Sequence, residues 1–413
     1  MGNSTAALFR VFLPFAAGYF LSYFYRVINA VIAPDLLTDI GIGPSALGLL
    51  TAVYFISFAS FQLPLGILLD RYGPRKIEAA LLVIAGLGAA LFSRAESLTG
   101  LVIGRACIGL GVSSCLMAAF KAYTLWFPRE KWPMINGFQM AAGGLGALAA
   151  TSPVESALHF TDWRGVFLLL ACVTILAAVL VVVVVPEKET SPRQESFHLQ
   201  MRGVKTVFTS GVFWRTAPLT IMSQASFLSI QGLWSGPWLQ NVARLPRDEV
   251  ADTLFWVAVA MICGFIGLGT LVGQLGKKGI GVVTVAVSGM SLFMAVQFLV
   301  IMVPISSGFT LPLWLAFGFF GTSGIIAYSA LSQSFPPALS GRVTTAINLL
   351  VFVGAFAGQW AIGAIISLWP VGIEGELATA GFQVGFGVML ALQLIALAHF
   401  WAASRKIKMS CSA

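Results

Sequence analysis

The stretch Gly66-Ile67-Leu68-Leu69-Asp70-Arg71-Tyr72-Gly73-Pro74-Arg75-Lys76 interrupts two long apolar runs, 46–69 before it and 77–94 after it. A membrane-spanning helix needs about 20 predominantly apolar residues, so the stretch reads as a short polar loop joining two spans. Gly66 allows close helix approach, and Gly73 allows a turn with positive φ. Asp70 can cap a helix end and pair with basic side chains of a neighbouring helix. An ordinary cationic loop would account for the Arg and Lys residues, but not for the Gly-x-x-x-Asp-Arg-x-Gly-x-Arg-Lys spacing.

The same rule applied outward divides the chain into twelve apolar runs. The first six are 9–33, 46–69, 77–94, 99–127, 133–157 and 164–186. The second six are 216–240, 251–275, 279–303, 309–333, 342–369 and 379–403. One connection, 187–215, is long and polar, which predicts six-helix bundles over 1–186 and 216–413 with a cytosolic linker between them. Composition agrees: of 413 residues 58% are hydrophobic and 10% charged, too few to solvate a body of this size. Mean hydropathy is +0.90. The expected class is therefore an all-α polytopic membrane protein rather than a secreted, cytosolic or nucleic-acid-binding one. The first apolar stretch exceeds the ~7–15 residues of a signal-peptide core, so it is expected to remain as a span.

Charge placement supports this topology. With both termini cytosolic, 17 of the 24 basic residues fall on the inner side, Arg71, Arg75 and Lys76 among them. Four fall outside, at Arg94, Arg164, Arg244 and Arg247, and three lie within spans, at Arg26, Arg105 and Lys121. That distribution obeys the positive-inside rule, so the net charge of +8 reports topology rather than nucleic-acid binding. The expected site is a plasma membrane, the bacterial inner membrane. The halves also echo each other. Phe127-Pro128 recurs as Phe335-Pro336, each followed by a Gly/Ala-rich span with one Asn, Asn136 or Asn348. The loop at 66–76 has a reduced copy, GQLGKKGIG, at 273–281. Parallel half-repeats are one architecture of secondary transporters.

On these residues the chain resembles the major facilitator superfamily over its whole length. The 66–76 stretch is similar to that family's signature loop, and Arg105-x-x-x-Gly109-x-Gly111 to its second motif. The fifth run has many glycines and Ser152-Pro153, but lacks the Gly-Pro pair of the family's antiporter motif, which speaks against drug/proton antiport. The resemblance implies two six-helix bundles around a central cavity, worked by alternating access. It assigns Gly66, Asp70, Arg71, Gly73 and Arg75 to a conformational latch, with Arg105 in a structural or coupling role. Gly18-Tyr19-x-x-x-Tyr23-x-x-Arg26 is also similar to the first span of organophosphate and organic-anion carriers, where an Arg at the matching position contacts the anion.

The residues themselves support an anion site. Intramembrane charges are costly and are functional candidates by default. Tyr19, Tyr23 and Arg26 follow i, i+4, i+7 and share a helix face. A guanidinium binds carboxylate or phosphate bidentately, and phenols add donors. A structural Arg paired to carbonyls is the alternative. Lys121 is a second candidate, although a lysine near the interface can snorkel. On a straight helix it points roughly 160° away from Arg105 at about 100° per residue. In the second half Gln224, Gln231, Trp234, Tyr328, Asn348 and Gln359 offer neutral polar groups, each equally suited to joining helices.

Acidic residues, Glu78 included, are placed in loops or at span ends. Glu155 alone is partly immersed and stands as a possible proton site. The expected function is secondary or facilitative transport of a small organic anion, running as an exchanger or uniporter or carrying a proton on the substrate. A proton-coupled exporter of drugs or metabolites, or a receptor-like member that does not transport, are the alternatives. The cysteines read as small core residues and Trp238 as an interfacial belt residue. His and Cys lack ligand spacing, so no metal, cofactor or enzyme activity is expected. The expected partners are the solute and the bilayer, with the protein a monomer.

Overall fold

A computed structural model describes residues 8–128, 132–187, 203, 205–302, 307–370 and 376–411. Its regular elements are all helical among the described residues. Each of the twelve apolar runs coincides with one helix or with consecutive helix pieces. In the first half these are α1 (Leu8–Phe12, Leu13–Val27 and Asn29–Ile40), α2 (Pro44–Ser60 and Gln62–Tyr72), α3 (Pro74–Ser93), α4 (Leu98–Gly111 and Cys115–Trp126), α5 (Trp132–Ala149 and Ser152–Leu158) and α6 (Trp163–Val184). The second half holds α7 (Gly211–Ser229, Ile230–Trp234 and Ser235–Asn241), α8 (Arg247–Lys277), α9 (Val282–Met302), α10 (Ser307–Gly321 and Gly324–Gln333), α11 (Pro337–Ile366) and α12 (Thr379–Cys411). Among the described residues, nine helices are long and apolar enough to cross a membrane, and the protein is an integral membrane protein.

Local sequence sets the helix ends. Pro44 and Pro74 open α2 and α3, where a missing N–H costs nothing. Ser97 caps α4 by accepting from the Gly100 N–H at 3.3 Å, and Asp162 caps α6 through Gly165 at 2.8 Å. Several helices outrun the apolar runs: α1 continues to Ile40, α8 starts at Arg247 and α12 reaches Cys411. Charged residues bound the apolar core, but helix can continue into the polar interface.

The helices are apolar on both faces. On α6, Leu169, Leu176 and Val183 are 64%, 56% and 74% exposed, whereas Phe167, Thr174 and Val181 are fully buried. A lipid-facing surface is as apolar as the packed one, so shape rather than polarity separates the two. Cys172 and Cys263 lie on exposed faces, not in the core, and Trp238 is buried against Trp314 rather than in an interfacial belt.

The chain divides into two compact units, Met1–Glu195 and Ser196–Ala413. Most of the 187–215 linker lies outside the described residues.

Candidate anion-binding site in the first helix

Helix periodicity brings Tyr19, Tyr23 and Arg26 together on α1. The Tyr19 and Tyr23 rings meet edge to face at 5.2 Å, and the Arg26 guanidinium carbon lies 4.3 Å from the Tyr23 ring centre. Phe58 of α2 flanks the same guanidinium at 5.8 Å. Tyr54, also on α2, donates its hydroxyl to the Ser22 carbonyl at 2.9 Å, which leaves the phenol oxygen to accept from Arg26. Gly143 of α5 lies against both tyrosine rings, and the Tyr19 hydroxyl donates to the Met140 sulfur at 3.5 Å. Tyr19, Tyr23 and Arg26 keep 4%, 8% and 7% exposure, whereas Tyr25 keeps none. The arrangement is a buried cation walled by aromatic faces, chemically suited to a carboxylate or phosphate.

Arg105 has a different setting. It is 1% exposed, donates from Nη1 to the Tyr25 carbonyl at 3.1 Å and sits 5.2 Å above the Tyr54 ring. It therefore ties α4 to α1 and α2 beneath the site. Gly109 presses on the Tyr54 backbone and Gly111 on the Ala85 backbone of α3, so the Arg-x-x-x-Gly-x-Gly pattern is a packing device. A Gly109→Ala side chain would collide with the Tyr54 carbonyl. Overpacking costs about 1–3 kcal/mol, more than the roughly 1 kcal/mol of helix propensity gained. The variant is expected to melt earlier in detergent, and an unchanged midpoint would contradict this packing.

Lys121 is partly exposed in the second piece of α4. Since α4 is interrupted between Gly111 and Cys115, the straight-helix angle to Arg105 does not apply. Glu155 is buried in the short second piece of α5.

In the 66–76 stretch Gly73 has φ +79°, which supplies the turn between α2 and α3. Gly66 faces open space, Arg71 is exposed over the Tyr72 ring, and the Asp70 side chain lies outside the described residues. Arg75 donates to the Val182 carbonyl, one of the last of α6, where a cation also meets the negative helix end. Arg75 and Lys76 both pair with Glu187. The Lys76 ammonium, assisted by Arg75, holds the Glu187 carboxyl below the usual carboxylate range. A depressed carboxyl keeps its pairing above the free-Glu value of about 4.3 and loses it only as pH falls through the lowered value. A carbon-13 NMR titration of Glu187 should give a midpoint below that value in the protein and near it in a Lys76→Ala variant. A normal midpoint in the unmodified protein would remove the cluster.

In the second unit, polar side chains mostly meet backbone. Gln224 donates to the Gly321 carbonyl at 3.0 Å, at the interruption of α10, and packs on Gly324. Trp234 is fully buried and donates to the Gln359 carbonyl at 3.0 Å. Gln231 and Gln359 are buried, and Tyr328 and Asn348 half-buried. A cluster missed from sequence lies deeper: Ser226 Oγ and Gln393 Nε2 both donate to Gln297 Oε1, at 3.0 and 2.8 Å. Gln297 Nε2 donates to the Phe386 carbonyl at 3.0 Å.

Glu78 stands near the start of its span as expected, but it is buried, so Glu155 is not the only acid withdrawn from water. Glu78 is 0% exposed in the second turn of α3, against Gly18 of α1 and beside the Cys115 thiol of α4. Neither carboxyl oxygen has a hydrogen-bond partner among the described residues. A carboxylate stripped of water costs several kcal/mol even after relaxation, and a neutral acid less. The available signal was period: Glu78, Leu82, Ala85 and Ala89 follow i, i+4, i+7, i+11 and all are 0% exposed.

Comparison with known proteins adds four findings. A family model described as Major Facilitator Superfamily matches residues 15–359. A probable sulfoacetate transporter of Cupriavidus necator is 29% identical over 157 residues, 38% of this chain and 36% of that one. A probable L-galactonate transporter of Escherichia coli is 27% identical over 176 residues, 42% of this chain and 38% of that one. These matches thus span little more than a third of each relative's length. Among solved structures, a bacterial homolog to the human lysosomal transporter Spinster superposes with a TM-score of 0.76 over 96% of both chains. At 16% identity that likeness concerns the fold alone.

Proposed function

Because the chain belongs to the Major Facilitator Superfamily, we propose that it is a secondary transporter carrying a small organic anion, a carboxylate or phosphate ester, by alternating access. One observation carries the substrate class: the buried Arg26 guanidinium beside Tyr19, Tyr23 and Tyr54 on the first two helices. A guanidinium set beside phenols can bind a carboxylate or phosphate bidentately while the phenols orient it. The names of the two relatives, a sulfonated carboxylate and a sugar acid, have the anion in common. Lys121 is the second candidate cation, while Gln231, Tyr328 and Asn348 are candidates for the anion's neutral hydroxyls. The 17-to-4 distribution of basic residues supports cytosolic termini, and on this reading the protein works in a bacterial inner membrane as a monomer.

Purified protein should melt later with sulfoacetate, galactonate or tartrate, since a ligand at 100 times its Kd adds about 2.7 kcal/mol. Proteoliposomes should then show saturable uptake of the same labelled anion. Neither stabilisation nor flux with any of the three, alongside saturable flux of a neutral or cationic solute, would overturn the substrate class.

A further inference from the structure

Glu78 has no part in the anion site, yet its surroundings are unusual for an acid. Three helices enclose it: its own α3, α1 at Gly18, and α4 at Cys115. Gly18 is so close that a Cβ there would overlap Glu78 Oε1, so the absence of a side chain on α1 is what admits the carboxyl. The ionisable groups facing it among the described residues are the Cys115 thiol and the Tyr123 phenol, both on α4. The nearest cations on its own helix turn elsewhere, Arg75 to Val182 and Glu187, and Lys76 to Glu187. Among the described residues the carboxyl therefore has neither a counter-ion nor a hydrogen-bond donor of ordinary strength. The charged form is disfavoured as long as α1 covers it, and it becomes tolerable only when water reaches the oxygens.

We propose that Glu78 is a proton-binding site gated by α1: it holds a proton while Gly18 is packed over it, and exchanges that proton with water when this packing opens. The step is a protonation alone, carboxylate plus a proton from water giving the neutral acid. Gly18 and Arg26 lie on one helix eight residues apart, about 12 Å at 1.5 Å per residue. A displacement of α1 that uncovers Glu78 therefore also moves the guanidinium, which links proton release to the anion site. This linkage rests on the transporter reading; the proton site itself does not. It places the proton on a protein acid, whereas the expectation from sequence is an exchanger, a uniporter or a proton carried on the substrate, with Glu155 as the possible proton site.

The first test needs no substrate. A parent-minus-variant infrared difference spectrum of the purified protein at pH 7 should show the C=O stretch of a protonated carboxyl, which Glu78→Gln removes. If Glu78→Gln does not purify, Glu78→Asp should shift that band instead. A band unaffected by either variant, or none at neutral pH, overturns the proton site. The second test uses proteoliposomes and whichever of labelled sulfoacetate, galactonate or tartrate shows flux. An inward proton gradient should drive accumulation above equilibrium in the parent. Glu78→Gln should lose that accumulation while keeping counterflow against internal unlabelled anion. Parent accumulation indifferent to the gradient overturns the coupling. So does a folded Glu78→Gln protein that loses counterflow too, because Glu78 is then required for movement itself. Absence of flux for all three anions, alongside saturable flux of a neutral or cationic solute, overturns the anion reading and the coupling with it, and the infrared result still decides the proton site.

Discussion

Replacing Arg26 by lysine is expected to weaken anion binding by about 1–3 kcal/mol, roughly 5–150-fold in Kd, with alanine weaker still. Lysine keeps the charge, so any electrostatic attraction at long range survives. What is lost is the planar fork, which makes two parallel N–H···O bonds to one carboxylate or phosphate. Stacking is lost as well: the guanidinium carbon now lies 4.3 Å from the Tyr23 ring centre, and an ammonium on a flexible stem is not held flat there. Alanine removes the charge and opens a void in a site whose walls keep less than a tenth of their surface exposed. Titration calorimetry of the purified variants with the stabilising anion checks both. Equal affinity in Arg26→Lys would make the side chain a general cation or a structural one, and the substrate argument would then lose its anchor.

Legibility from sequence followed the physics closely. The twelve spans could be read because the bilayer demands length and apolarity whatever the packing. The Tyr19–Tyr23–Arg26 face could be read because helical period alone brings the three side chains together. Packing against neighbours could not be read the same way. On α6 the exposed Leu176 and the buried Phe167 are both apolar, so periodicity carries no signal of which faces the core. The burial of Glu78 was not legible for a related reason: the glycine on α1 that admits the carboxyl is 60 residues away in the chain. Pro64, which cannot donate to the Ser60 carbonyl, marks the interruption of α2 at Phe61, whereas those of α1 at Ile28 and α4 at 112–114 have no proline within the next four residues.

Gln297 was missed entirely, and its replacement is expected to have the largest effect on stability. It lies on α9 and is fully buried, accepting from Ser226 of α7 and Gln393 of α12 and donating to the Phe386 carbonyl of α12. Methionine matches its length and lacks branching, so Gln297→Met removes the three hydrogen bonds with little change of volume. In water a stranded buried polar group costs about 1–3 kcal/mol. Within a bilayer the figure is smaller, about 0.6 kcal/mol on average and 1.7 at most, because the unfolded helices also find partners. Three bonds therefore predict a loss of about 2–5 kcal/mol, larger than the overpacking expected at Gly109. A double-mutant cycle with Ser226→Ala isolates one of them: the pair should cost less than the sum of the singles, since each single already breaks the shared bond. An unchanged melting temperature for Gln297→Met would mean that α7, α9 and α12 are held by van der Waals packing, with the amide a passenger. A lowered one makes this network the support of α7, the helix that carries Gln224, Gln231 and Trp234.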